Sequence, residues 1–487
     1  MNDTPTGSSL DLVFEQATVV DGTGRTRYIA DVGITGDRIS AIGDLAKSTS
    51  SQRIDARGLV LSPGFIDVHT HQDNALLVTP QMEPCVTQGI TTIVTGNCGI
   101  SLAPLVRDSV PPPLNLLIAG PSSPFGFASF AAYVDAVKVA APAVNVAPLV
   151  GHSTLRVAVM EDISQPATQY EIEAMSALLE ECMKAGAIGM STGLFYPPAR
   201  NSTADEITEL LAVVASHGGV YTTHMRDEAD NIIQSLEESF TTAKSALVPL
   251  IISHHKCMGQ RNFGRSVDTI AKIDAAAKTQ SVSFDAYPYI AGSSVLLPEL
   301  AAKSSSTQVT WSSPFPEMAG KLLADIAALW EINEEEALLR LQPGGAIYHM
   351  MSQEDLDRII SHPKCMIGSD GMPHDRAPHP RLWGTFPRVL GHFCRDRGLF
   401  SLEEIVHRMT LLPAQEFGLA ERGTIQVGAF ADLVLFDLDR INDSATYTNP
   451  ETPAAGINMV FVNGKQTSLK HRSGQILSRI PTNPRTH

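Results

Sequence analysis

The sequence predicts an α/β chain: a (β/α)8 barrel, a small β-sandwich built from both chain ends, and an insertion after the seventh barrel strand. Three observations predict it. Short apolar, β-branched runs alternate with helical segments at 60–68, 90–95, 144–150, 186–190, 219–224, 248–254, 281–286 and 364–370. The two ends of the chain share a different texture, with short strands and tight turns and no helix between them. Histidine, cysteine and aspartate recur where the apolar runs end, and parallel barrels carry their chemistry at the C-terminal ends of strands.

The first sixty residues turn at Asp21-Gly22, Gly36-Asp37 and Arg57-Gly58, and residues 424–465 repeat the pattern in Ala431 to Asp437 and Met459 to Gly464. Residues 1–61 and 417–480 are therefore expected to pair into the sandwich, with 62–416 as the catalytic barrel; two independent β appendages are the alternative. Within the barrel, Thr203-x-x-Glu206 and Ser401-x-x-Glu404 read as capping boxes ahead of amphipathic stretches, the first ending near Gly218-Gly219. Residues 288–348 are too long for a simple strand-to-helix connection and carry a helical segment, Phe315 to Leu338, so they read as an insertion near the active site.

At 487 residues, 43% hydrophobic and 18% charged, the chain has ample material for a core and no apolar run long enough to span a bilayer. The polar start, Met1 to Ser9, lacks a secretory pattern, so a cytoplasmic enzyme is expected. A formal charge of −16 without clustered Lys or Arg argues against a nucleic-acid partner. Cys85, Cys98, Cys182, Cys257, Cys365 and Cys394 are irregularly spaced, which suits reduced thiols or a metal ligand better than a disulfide framework.

His69 and His71, two residues apart at the end of the first run, leave the same face of a strand and make a ligand pair. Alone, such a pair is equally compatible with a surface motif. The second run ends in Thr95-Gly96-Asn97-Cys98-Gly99, where a thiolate between glycines has unobstructed access to a metal, a buried structural cysteine being the alternative. The fifth ends at His224. In the sixth, Ser253-His254-His255-Lys256, alternation puts His254 and Lys256 on one face, and His254 is chosen over His255 as the inward residue. The eighth ends at Asp370, which can bind a metal and move a proton, or merely cap a helix. The glycine-containing stretches lack the spacing of a nucleotide fingerprint, and no G-x-S-x-G elbow surrounds Ser153.

The stretches GFIDVHTHQD, TGNCGIS, GHSTLR, GAIGMSTGLFYPP, THMRDE, SHHKCMG, DAYPY, IGSDGMPHDRAPHPR and GAFADLVLFD resemble the metal-dependent amidohydrolase superfamily, and in detail its D-aminoacylase branch, nearly end to end. Gln72 departs from the acidic residue usual at that place and should point away from the metal. The resemblance implies one tightly bound Zn2+ on Cys98, His224 and His254, and a weaker second position formed by His69, His71 and Asp370 with Cys98 shared. It implies hydrolysis of the linear amide of N-acyl-D-amino acids, with Asp370 as the proton-moving catalytic residue. A neutral or hydrophobic substrate side chain is expected; deacylases of acidic substrates and cyclic amidases share the scaffold, and a non-catalytic barrel is the remaining alternative.

For the α-carboxylate of such a small-molecule substrate, Lys256, Tyr287 and Arg381 fit by charge and hydrogen bonding, Arg381 with a fork suited to bidentate contact; each is equally compatible with a structural ion pair or hydrogen bond. By resemblance Ser293 joins them, and Phe195, Tyr348 and Met351 line the side-chain pocket.

Overall fold

The computed structural model describes residues 9–119, 122–467 and 471–480, so all of the polar start except Ser9 lies outside the described residues. Eight parallel strands form the barrel: Phe65–Asp67, Ile90–Thr95, Asn145–Pro148 with its continuation Val150–Gly151, Gly189–Gly193, Val220–His224, Leu250–Ile252, Val282–Ala286 and Cys365–Ile367. The first and last strands close it through the parallel Thr70–Gly371 bridge, with the Asp370 amide donating to the His69 carbonyl at 2.7 Å. Closure thus joins the HxH segment directly to Asp370.

Alternation sorts the strand residues into two layers. Ile66, Val68, Val94, Ala147, Leu149, Ile188, Val220, Ile251 and Met366 fill the interior, while Phe65, Ile93, Tyr221, Leu250, Ile252, Phe284 and Ile367 face the helices. The apolar plug at the base lets the polar residues at the rim stay buried without contacting bulk water from below.

One expected element divides. The run 60–68 is not a single barrel strand: Val60–Pro63 pairs antiparallel with Leu433–Phe436 in the flanking sheet, and Phe65–Asp67 starts the barrel. Gly64 makes the crossing because a Cβ there would lie 2.1 Å from the Thr91 side chain. The flanking sheet unites both chain ends. Leu10–Val19 pairs with Tyr28–Thr35, Ser50–Asp55 and Val60–Pro63, and Leu433–Phe436 continues to Ile457–Val462, around a core including Phe14, Ile34, Leu61, Leu435 and Phe461.

The insertion after the seventh strand is a three-stranded antiparallel sheet, Ala291–Val295, Gly344–His349 and Ser306–Ser312, with a one-turn helix, Pro298–Ala301, and two longer ones, Leu323–Trp330 and Glu334–Leu341. The single helical segment expected there is broken at Glu331, whose φ of 56° ends one helix before Asn333 caps the next. Among the described residues no helix is long and apolar enough to cross a membrane.

The expected capping boxes form only by half. Thr203 and Ser401 accept from the amides of Glu206 and Glu404, but the Glu206 carboxylate turns inward to Arg156, at 2.5 and 2.6 Å, and to His152 at 2.8 Å. Burial would raise Glu206, yet His152 and Arg156 hold it down at about 2. Its stabilisation is therefore complete above the ordinary glutamate range and drains away as pH falls toward about 2. Arg156→Ala, which strands this carboxylate, is expected to cost about 3–5 kcal/mol in urea unfolding; a loss under about 1 kcal/mol, the worth of a surface pair, would contradict the assignment.

Candidate metal centre and active site

The rim gathers its donors from several strand ends. His69 Nε2 lies 3.2 Å from Cys98 Sγ and His254 Nε2 lies 3.3 Å from it. Asp370 Oδ1 stands 3.2 Å from His71 Nε2 and 3.6 Å from His69 Nε2. Three overlapping groups (His69, Cys98 and His254; His69, His71 and Asp370; His224, Glu228 and His254) each keep their ligand atoms within 4.8 Å of one another. All are buried.

Local backbone turns the side chains inward. Cys98, His254 and Asp370 have φ of 52°, 35° and 50°, a left-handed region costly for non-glycine residues and common where function fixes the geometry. At Cys98 the flanking glycines allow it: a Cβ on Gly96 would meet the Leu149 carbonyl oxygen at 2.1 Å, and one on Gly99 the Gly193 nitrogen at 2.7 Å. His254 faces the site for a reason alternation does not supply. Ile251 points into the barrel, so a continued strand would bring His255 inward; instead the strand stops at Ile252 and the left-handed turn swings His254 in. His255 packs on Phe284 and shares a 2.8 Å hydrogen bond with Thr269 Oγ1, and burial pulls it down to about 4. His255→Ala should therefore cost far less activity than His254→Ala in a paired assay, and the reverse ranking would overturn this placement.

The donors suit a thiophilic divalent metal. Burial would raise the Cys98 thiol, but His69 and His254 bring it well below the usual range, toward the thiolate that metals bind. Burial lowers His224 toward neutral imidazole, and neither ring nitrogen makes a well-formed hydrogen bond, Nε2 lying 3.4 Å from Glu228 Oε2. A buried neutral imidazole without hydrogen bonds is costly unless its one lone pair is taken up, and thiolate with neutral imidazole is a zinc donor set. Asp285 supports the site from behind, with Oδ2 3.4 Å from His69 Nδ1 and Oδ1 accepting from the His254 amide at 2.9 Å. Gln72 points away, accepting from the Cys85 thiol at 3.2 Å.

Beside the donors lies a cavity of about 30 Å³, lined by Phe195, Tyr196, Lys256, Met258, Tyr287, Ser293, Tyr348, Met350 and Met372, among others. The Tyr287 hydroxyl has no hydrogen-bond partner, and burial pushes its pKa up, leaving a protonated donor. Two expected substrate cations already hold carboxylates of the protein. Lys256 Nζ sits 2.6 Å from Glu228 Oε2, and Arg381 Nη1 sits 2.9 Å from Asp370 Oδ2. With Arg381 also 4.6 Å over the Tyr287 ring and its Nη2 donating to the Ser293 carbonyl at 3.3 Å, Nε alone is left without a partner. Met350 takes the lining position expected of Met351, which borders a neighbouring hollow beside His255 and Tyr289.

Glu228, Asp285 and Tyr196 were not singled out from the sequence. Asp285 had a legible signal, an acid closing an apolar run; Glu228 had only its place four residues after His224, on a loop whose path the sequence does not show.

A buried Cys/His/Asp donor set on the rim of a (β/α)8 barrel defines a metal-dependent hydrolase site. Residues 52–285 and 320–468 match the amidohydrolase family, and the chain belongs to that family, in its D-aminoacylase branch. It is 51% identical to D-aminoacylase of Alcaligenes xylosoxydans xylosoxydans over 96% of this chain and 98% of the relative. It is 47% identical to N-acyl-D-aspartate deacylase of the same organism, over 97% and 95%. Solved structures of D-aminoacylase superpose with a TM-score of 0.94 at 52% identity, over 96% of this chain and 100% of theirs; one describes a binuclear metal centre with one-metal activation and second-metal attenuation. N-acyl-D-glutamate deacylase of Bordetella bronchiseptica, with zinc and a phosphonate mimic of the tetrahedral intermediate, superposes at 0.93 with 43% identity, over 96% and 100%.

Proposed function

We propose that this chain hydrolyses the amide of N-acyl-D-amino acids with neutral, apolar side chains, releasing a carboxylate and a free D-amino acid. The linear amide and the D preference rest on the relatives. The side-chain class rests on one observation: the cavity is walled by Phe195, Tyr196, Met258, Leu300, Tyr348, Met350 and Met372, and its lining cation, Lys256, is already paired with Glu228. No other lysine or arginine lines it, so with Lys256 given to the α-carboxylate none is left for an acidic side chain.

Cys98, His224 and His254 would hold one tight zinc, and His69, His71, Cys98 and Asp370 a weaker second metal. When bound, zinc supplies a Lewis acid for the amide carbonyl and acidifies water. Asp370 does the proton work. Its carboxylate stays ionised because Arg381 and His71 outweigh the effect of burial, so it accepts a proton from the attacking water and returns it to the departing amine nitrogen as the C–N bond breaks. Tyr287, Lys256, Ser293 and the free Nε of Arg381 take the α-carboxylate, Arg381 dividing its fork between substrate and Asp370. Phe195 and Tyr348, with Met350 where Met351 was expected, bound the side-chain pocket.

The cavity of about 30 Å³ is far below the roughly 300 Å³ a bound small molecule occupies, so side chains must give way on entry. Met258 and Met350 line both this cavity and an outer hollow of about 800 Å³, and unbranched thioethers yield easily. A substrate panel tests the reading. N-acetyl-D-Met and N-acetyl-D-Leu should turn over well ahead of N-acetyl-D-Asp, N-acetyl-D-Glu and N-acetyl-L-Met. Inert neutral D substrates beside active acidic ones, or beside opened hydantoin rings, would refute it.

A further inference from the structure

We propose that Glu228 is a positioning residue whose single carboxylate fixes both a metal ligand, His254, and a substrate-binding cation, Lys256; the second half rests on the reading of function above. Glu228 is 1% exposed, and Oε1 lies 3.1 Å from His254 Nδ1 while Oε2 lies 2.6 Å from Lys256 Nζ and 3.4 Å from His224 Nε2. The other His254 nitrogen, Nε2, faces Cys98 Sγ at 3.3 Å.

A neutral imidazole has one proton. If Nε2 offers its lone pair to a metal, Nδ1 carries the proton and needs an acceptor, which Glu228 provides. Lys256 Nζ also lies 2.8 Å from Nδ1. In the other tautomer the ammonium would donate to Nδ1 at that distance; the Glu228 carboxylate, within reach of both nitrogens, favours the proton on Nδ1 and draws Nζ onto Oε2. The ion pair with Lys256 also argues against Glu228 as a metal ligand, since the oxygen nearer His224 is the one the ammonium occupies. Backbone pairing holds the arrangement: the Met258 amide donates to the Glu228 carbonyl at 2.8 Å, tying the loop after the fifth strand to the loop after the sixth.

Metal retention and α-carboxylate recognition should therefore be coupled through one residue. The test compares holoenzyme with Glu228→Gln, in the natural and in a Lys256→Met background. Zinc affinity is read by competition with a chelator, and KM with N-acetyl-D-Met and with its α-carboxamide analogue. Zinc should be held about 10–100-fold more weakly in both backgrounds. KM for the carboxylate substrate should rise about tenfold in the natural background only, and that for the carboxamide should barely move, because the effect runs through Lys256.

Unchanged zinc affinity, or a KM rise of equal size with Lys256→Met, would overturn the proposal. Should Glu228→Gln fail to fold, Glu228→Asp keeps the charge at a shorter reach; it should still loosen zinc, and an affinity equal to the natural enzyme's would count against the assignment. A natural enzyme with no deacylase activity but tight zinc would refute the function while leaving the zinc measurement able to judge Glu228.

Discussion

Cys98→Ala is expected to remove the tightly held metal and to lower turnover by about a thousandfold or more, since the thiolate anchors a Lewis acid worth several kcal/mol to the reaction. Sγ stands 3.2 Å from His69 Nε2 and 3.3 Å from His254 Nε2, so it is the donor between the two candidate metal positions. Its loss should affect both. Alanine tolerates the φ of 52° no worse than cysteine does, and the glycines on either side are untouched, so the fold should survive. Metal analysis of the purified variant beside a deacylation assay decides it. Full zinc content with normal rates would reduce Cys98 to a packed core thiol.

The parts of this site that were legible in the sequence are those governed by local rules. His69 and His71 share a face because side chains two apart in extended chain do, and Cys98 reaches the other donors on a turn that its flanking glycines permit. The eight apolar runs mark the barrel because strands buried on both faces are apolar throughout. Where non-local contacts decide, the sequence is silent. The run 60–68 is uniformly apolar whether or not it changes sheets at Gly64, since both halves are buried. His254 was chosen through an alternation that ends two residues before it; the left-handed turn that aims it has no composition signal. Arg381 and Lys256 fit a substrate carboxylate and a structural ion pair equally well by charge, and the sequence does not choose between them. The fold brings Asp370 and Glu228 beside them, and a buried guanidinium or ammonium takes the nearest carboxylate.

Asp370→Asn should separate metal binding from chemistry. Asp370 is absent from the Cys98-containing donor group, and from the one that joins His224 and His254, so one tightly held zinc should remain after its replacement. The reaction needs an atom that accepts a proton from water and surrenders it to the amine. A carboxylate does both, and an amide of the same shape does neither. The expected loss in kcat is about 10²–10⁴-fold, with KM much less affected, since Asp370 is not among the groups proposed to hold the α-carboxylate. Asparagine is preferable to alanine here because it fills the same volume beside Arg381, whose buried charge would otherwise face a void. Some stability is still lost, as Nη1 gives up a 2.9 Å ionic contact, so a urea midpoint must show that the variant is folded under assay conditions. Folded, zinc-loaded and inactive enzyme is the predicted state. Turnover within about threefold of the natural enzyme, well inside the range a general base commands, would remove Asp370 from the proton-transfer role; loss of the tight zinc instead would move it into the main metal site.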